Sequence, residues 1–144
     1  MQTLRSLLEQ KGRHVHTISP DMTVGEALAL MAERNIGALV VVEEGRVEGL
    51  FTERDFARRA LEHEGGGLGQ PVRAMMVAPA RTIPPDRSLE DCLAEMTRHR
   101  CRHLPVVEGD TLLGMVSIGD LGKGLLDQRN FVIHQLESYI TGAR

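Results

Sequence analysis

Two stretches of seven residues, Gly49–Asp55 (GLFTERD) and Gly114–Asp120 (GMVSIGD), stand 65 positions apart and share one plan. A glycine leads two apolar residues into a hydroxyl residue, Thr52 or Ser117, and an aspartate, Asp55 or Asp120, follows three positions later. The preceding residues align at the same offset without a gap. Thr17, Ile18, Pro20 and Asp21 recur as Thr82, Ile83, Pro85 and Asp86, and Leu39, Val41, Val42 and Glu43 as Leu104, Val106, Val107 and Glu108. From Thr17 to Phe56 there are 13 identities over 40 positions. Composition alone would give about two or three, so the chain is an internal duplication and must fold as two similar units.

Each unit reads strand, helix, strand, strand, helix. In the first copy Val15 to Ile18 is a brief extended piece ended by Pro20. Thr23 with Glu26 reads as a capping box, and Ala27, Leu28 and Met31 continue at helical spacing to Arg34. Ala38 to Glu43 and Val47 to Thr52 are β-rich runs joined by a turn at Glu44-Gly45-Arg46, and Glu53 to about Leu61 returns to helical composition. Ahead of the repeat, Leu4, Leu7 and Leu8 mark a short amphipathic helix that Gly12 stops and that packs on the body. After it, Asn130 reads as the cap of a last helix with Val132, Leu136, Tyr139 and Ile140 on one stripe and Gly142 at its end. That stripe reads as docked on the module or, alternatively, as a dimer contact. The expected division is residues 1–12 N-terminal helix, 13–63 first unit, 64–72 a Gly-rich connection, 73–126 second unit and 127–144 C-terminal helix. A lone unit of this size leaves one apolar sheet face uncovered, so the copies are expected face to face about a pseudo-two-fold axis with paired clefts.

Composition excludes several function classes. A net charge of -3 gives no pull toward nucleic acid or acidic lipid, and 3% aromatic residues with no Trp leave few bases' worth of stacking surface. No apolar run approaches the about 18 residues a membrane span needs, and MQTLRSLLEQ lacks a signal-peptide core, so a cytoplasmic location is expected. Cys92 and Cys101 have no metal or redox spacing and suit a reducing compartment. His14 and His16 alternate on one short strand without a third ligand, so no metal is expected. No Ser-His-Asp order or free carboxylate pair stands out, and the chain is not expected to be an enzyme.

The chemistry falls on the two hydroxyl–aspartate junctions. A hydroxyl followed three positions on by a carboxylate is also how a helix caps itself, so capping is the plain explanation. The repetition adds another: both junctions bring backbone N–H groups to a helix start, which receives phosphate, beside a carboxylate that can accept both hydroxyls of a ribose cis-diol. A ribose with phosphate nearby is a nucleotide.

The doubled unit, with Thr17 and Thr82 opening each copy, the strands GALVVVE and RHLPVVE, and the stretches GLFTERD and GMVSIGD, resembles a tandem pair of cystathionine beta-synthase (CBS) domains, a Bateman module of the stand-alone bacterial type. The resemblance implies a mixed α/β (α+β) fold of two CBS units. It also implies clefts between the copies that bind adenosine-containing ligands: AMP above all, or ADP, ATP, NAD or S-adenosylmethionine. By that resemblance one cleft would hold Thr17, Ile18, Gly37 and Ala38 with Ser117 and Asp120, and the other Thr82, Ile83, Arg102 and His103 with Thr52 and Asp55. Arg102 and His103 replace Gly37 and Ala38 and would supply cations for phosphate, and Arg54 is a further phosphate candidate. Arg98, His99 and Arg100 read more simply as cations on a helix C-terminus. The family implies a homodimer that regulates an unidentified protein partner. The competing reading is a scaffold with vestigial clefts that acts through its terminal helices.

Overall fold

The computed structural model describes residues 2–141. The chain divides into two compact units, one of Met1–Arg13, Ile83–Val106 and Leu113–Arg144, the other of His14–Thr82 and Val107–Leu112. The second of these carries most of the first repeat and is called here the first-copy unit. The other, which adds the N-terminal helix to the second repeat, is the second-copy unit.

In the first-copy unit β1 (Thr17–Ile18) pairs in parallel with β2 (Ala38–Glu43), and β2 pairs antiparallel with β3 (Arg46–Thr52), in the order β1-β2-β3. Glu44 and Gly45 both take positive φ (52° and 77°), the two-residue turn whose twist suits a hairpin. Helix α2 (Val24–Arg34) starts at Thr23, whose side chain accepts from Glu26 N. The capping box is only half made: the Glu26 carboxylate accepts from the Thr23 hydroxyl at 2.8 Å, so the acid serves the cap's side chain. Val24, Ala27 and Met31 of α2 meet Leu39, Val41 and Phe51 of the sheet to form the core. Helix α3 (Glu53–Arg59) follows β3 and runs into a 3-10 turn, Ala60–Glu62.

The Gly-rich stretch is bonded to the start of α2. Gly25 N donates to Leu68 O, Val24 N to Gln70 O and Val72 N to Met22 O at 2.8–2.9 Å, and Val72 and Met75 lie in the first-copy core. Val77 then pairs with Leu50 through both backbone bonds, at 3.0 and 2.9 Å. This crossing explains the leading glycine of the first motif, because a Cβ on Gly49 would stand 2.7 Å from Val77 O and 2.9 Å from Met76 Sδ. Gly114 meets something softer, Leu8 Cδ2 at 2.9 Å. Gly49→Ala is therefore expected to lower unfolding free energy by about 1–3 kcal/mol, and Gly114→Ala by about 1 kcal/mol or less, in urea titrations. Equal costs would contradict this account of the two glycines.

In the second-copy unit α1 (Leu4–Lys11) is capped by Thr3 with Ser6 and closed by Gly12 at φ +99°. Leu4, Leu7 and Leu8 are buried with Leu89, Cys92 and Met96 of α4 (Leu89–His99) and with Val116 and Leu121. In the second repeat, strands β4 (His103–Glu108) and β5 (Thr111–Ser117) are neighbours, although Val107–Leu112 groups with the other unit. The first strand of the repeat shrinks here to a single parallel bridge, Ile83 with Val106.

The C-terminal segment differs from expectation. Helix α5 runs unbroken over Ile118–Thr141, so Asn130 lies exposed inside it and caps nothing. No proline and no residue of positive φ interrupts this stretch. Gly124, which could have weakened the helix, is a packing requirement, since a Cβ there would stand 2.7 Å from Leu89 Cδ1. The expected stop at Gly142 lies outside the described residues. Val132 and Leu136 are 55% and 56% exposed, so this part of the stripe does not dock on the chain's own body.

Candidate functional site

Both junctions form as reciprocal caps. In the first copy, Thr52 N and Thr52 Oγ1 each donate to Asp55 Oδ2 at 2.9 Å, and Asp55 N donates back to Thr52 Oγ1 at 3.1 Å. In the second, Ser117 N donates to Asp120 Oδ2 at 2.9 Å and Asp120 N to Ser117 Oγ at 3.1 Å. The capping explanation is thus correct for both, and each carboxylate is pinned by one oxygen. Oδ1 of either aspartate receives no hydrogen bond from the described residues. A half-buried carboxylate with one oxygen fixed and the other open suits recognition of a hydroxyl-bearing ligand.

The residues ahead of each middle strand sit against their own copy's junction. Glu53 N donates to Gly37 O at 3.1 Å, and Ala38 is the register partner of Thr52. Likewise Ile118 N donates to Arg102 O at 2.8 Å. Within each unit these backbone contacts set Gly37 and Ala38 beside Thr52, and Arg102 beside Ser117. The reason is the hairpin, which returns the end of one strand to the start of its neighbour. Thr17 is exposed on β1 beside Val40, and Thr82 is exposed in a loop. Ile18 (5% exposed) and Ile83 (2%) belong to the two cores, so only their backbone is available to a ligand. Arg54 is exposed in the first turn of α3.

Charge separates the junctions. Lys11, at the end of α1, donates to Asp120 Oδ2 at 2.6 Å and to Met115 O at 2.9 Å. Burial disfavours the Asp120 anion, but the Lys11 hydrogen bond, the Ser117 N–H and the Lys11 charge outweigh it and hold the carboxyl below its ordinary value. Burial, opposed by Asp120 and reinforced by Lys11 and Arg102, pushes the His103 imidazole below its ordinary value. Burial thus works against the charge that its expected role as a cation needs. Arg98 and His99 are committed to Glu95, at 2.8 and 3.2 Å, as helix-end groups. Lys11 was missed in the sequence, where it shows only as a lysine in the last turn of a helix.

Other sites offer less. A groove of about 510 Å³ in the second-copy unit is lined by Gln2, Glu90, Asp127, Phe131 and Val132 among others, and none of the candidate residues reaches it. His14 and His16 stack edge to face with centroids 4.6 Å apart, and no group of three metal-binding side chains occurs among the described residues. Cys92, whose thiol burial pushes up to about 12, is a packing residue. No helix among the described residues is long and apolar enough to cross a membrane.

The CBS domain family model matches the chain twice, at residues 12–62 and 72–127. The chain belongs to the CBS domain family, and its mixed helix and strand fold is the fold of that family. It is 39% identical over 119 residues to the CBS domain-containing protein YhcV of Bacillus subtilis, covering 82% of this chain and 84% of that one. It is 30% identical to the mitochondrial CBS domain-containing protein CBSX3 of Arabidopsis thaliana, covering 97% and 72%. Among solved structures, a protein with CBS domains from Burkholderia ambifaria MC40-6 superposes with a TM-score of 0.82 at 40% identity, covering 88% and 95%. Inosine-5'-monophosphate dehydrogenase of Thermoplasma acidophilum also matches, at 31% identity, but over only 21% of that enzyme.

Proposed function

We infer that this protein is a regulatory module that binds an adenosine-containing ligand, AMP foremost and NAD, ADP or ATP after it, at its hydroxyl–aspartate junctions. The observation that carries this reading is the pair of pinned carboxylates, Asp55 and Asp120, each with an open oxygen beside a helix start. A CBS domain pair 18% identical to this chain, crystallised with 5'-methylthioadenosine and S-adenosyl-L-methionine, lends support to the ligand class. The role is binding rather than catalysis: both aspartates are tied into caps, which suits recognition and not proton transfer. Signalling requires that the ligand prefer one arrangement of the protein over another, since equal affinity for both shifts nothing.

A thermal-shift panel of AMP, ADP, ATP, NAD and S-adenosylmethionine tests the reading. A true ligand at about a hundred times its dissociation constant adds about 2.7 kcal/mol, a rise of about 5–10 °C for a chain of this size. A midpoint unmoved by all five would return the protein to the scaffold reading.

The protein works as a cytoplasmic homodimer in this proposal, and α5 is the contact. Leu126, Phe131, Val132, Ile133 and Leu136 are each between 42% and 65% exposed along it, an apolar run that a monomer leaves in water. Val132→Glu with Leu136→Glu is expected to move the sedimentation mass from dimer to monomer. An unchanged mass would remove α5 from the interface.

A further inference from the structure

We propose that Lys11, supplied by the N-terminal helix, is a specificity-determining residue of the Asp120 junction and restricts it to phosphorylated adenosine compounds. The inference rests on the nucleotide reading above and adds to it a residue 109 positions away in sequence.

The contact is built in. Leu4, Leu7 and Leu8 anchor α1 in the second-copy core, and the bare Cα of Gly114 lets α1 lie close, with Leu8 Cδ2 2.9 Å and Arg13 O 3.6 Å from where a Cβ would stand. Lys11 then falls over the motif itself, spanning Met115 O and Asp120 Oδ2. Both partners are partly shielded, with side chains 34% and 26% exposed. The ion pair is consequently less screened than one at the open surface.

Among the described residues Asp55 receives hydrogen bonds only from Thr52. There the hydroxyl of Thr52 donates to Asp55 Oδ2, where Lys11 stands in the second copy. A bare carboxylate repels the phosphate of a ligand whose ribose it holds. Lys11 cancels that repulsion at Asp120, and its ammonium has a third N–H to offer after Met115 and Asp120 are served. The backbone of Arg102 is tied to the same junction by the bond from Ile118 N to Arg102 O. Ser117, Asp120 and Lys11 together therefore present a diol acceptor whose negative charge the ammonium balances. Ligand discrimination here follows phosphate charge.

The test is a calorimetric series of adenosine, AMP, ADP and ATP against the full-length protein, in an Asp55→Asn background so that the Asp120 junction reports, with Lys11→Met and Lys11→Arg. Removing a charge-assisted contact is expected to weaken AMP, ADP and ATP by about 10- to 100-fold in Lys11→Met, with adenosine changed less than about threefold and Lys11→Arg retaining most of the affinity. If Lys11→Met weakens adenosine and ATP by the same factor, or weakens neither, Lys11 is a structural residue and the proposal is overturned while the nucleotide reading stands. If none of the four binds the unsubstituted protein, the nucleotide reading itself fails and the proposal falls with it.

Discussion

Leu4→Ala combined with Leu8→Ala is expected to unfold the second-copy unit under conditions where the unsubstituted chain is fully native. Leu4 is 0% and Leu8 1% exposed, and each truncation in a closed core costs about 2–5 kcal/mol. A domain's whole stability is about 5–15 kcal/mol, so the pair removes much or all of it. An eight-residue helix does not persist alone in water, so α1 exists because the core holds it. It is also stitched by backbone, Leu4 N to Arg87 O at 3.0 Å and Arg5 N to Pro85 O at 2.9 Å. The two leucines share one cluster, and the double loss is expected to depart from the sum of the single losses. Urea titration followed by circular dichroism measures it, with Gln10→Ala as an exposed control expected to stay within about 0.5 kcal/mol. A combined loss under about 1 kcal/mol would make α1 an appendage, and Lys11 would then have no fixed place over Asp120.

The other large effect concerns the ligand. Asp120→Asn and Asp55→Asn are each expected to weaken ribonucleotide binding at one junction by about 10- to 100-fold, the worth of charge-assisted hydrogen bonds to a diol. Asparagine retains an acceptor oxygen for the capping N–H of Ser117 or Thr52, so the helix start survives and the loss reports on ligand. The effect is expected to be much smaller for 2'-deoxy nucleotides, which offer one hydroxyl fewer. Titrating both variants with AMP and its deoxy form decides it. Equal losses for the two ligands would mean that the aspartates only cap their helices and that ribose recognition lies elsewhere.

Much of the fold was legible beforehand because its signals are local. The period of Leu4, Leu7 and Leu8 marked α1, the β-rich runs on either side of Glu44-Gly45 marked the hairpin, and the common offset of the two motifs marked the duplication. What stayed illegible has one cause, which is that a local pattern does not say what lies against it. Asn130 looked like a cap because Asn favours caps, but the helix preceding it had no reason to end. Residues 64–72 read as a connection because they are rich in glycine, and that reading does not show that Leu68 and Gln70 accept hydrogen bonds from the start of α2. His103 read as a cation because imidazole titrates near neutrality, and the burial that works against its charge does not show in the local pattern.

By itself the sequence determined that this chain is one unit written twice, that each copy ends a strand with a hydroxyl and an aspartate, and that both aspartates stand in the first turn of a helix. Periodicity and short-range spacing carry that information, and it survives without knowing any distant neighbour. Only the tertiary structure decided what makes the copies unlike: the strand crossing over Gly49, the helix lying on Gly114, and the lysine that helix delivers to Asp120 but not to Asp55. Those contacts join residues far apart in the chain, and close packing and charge pairing select them only once the backbone has closed.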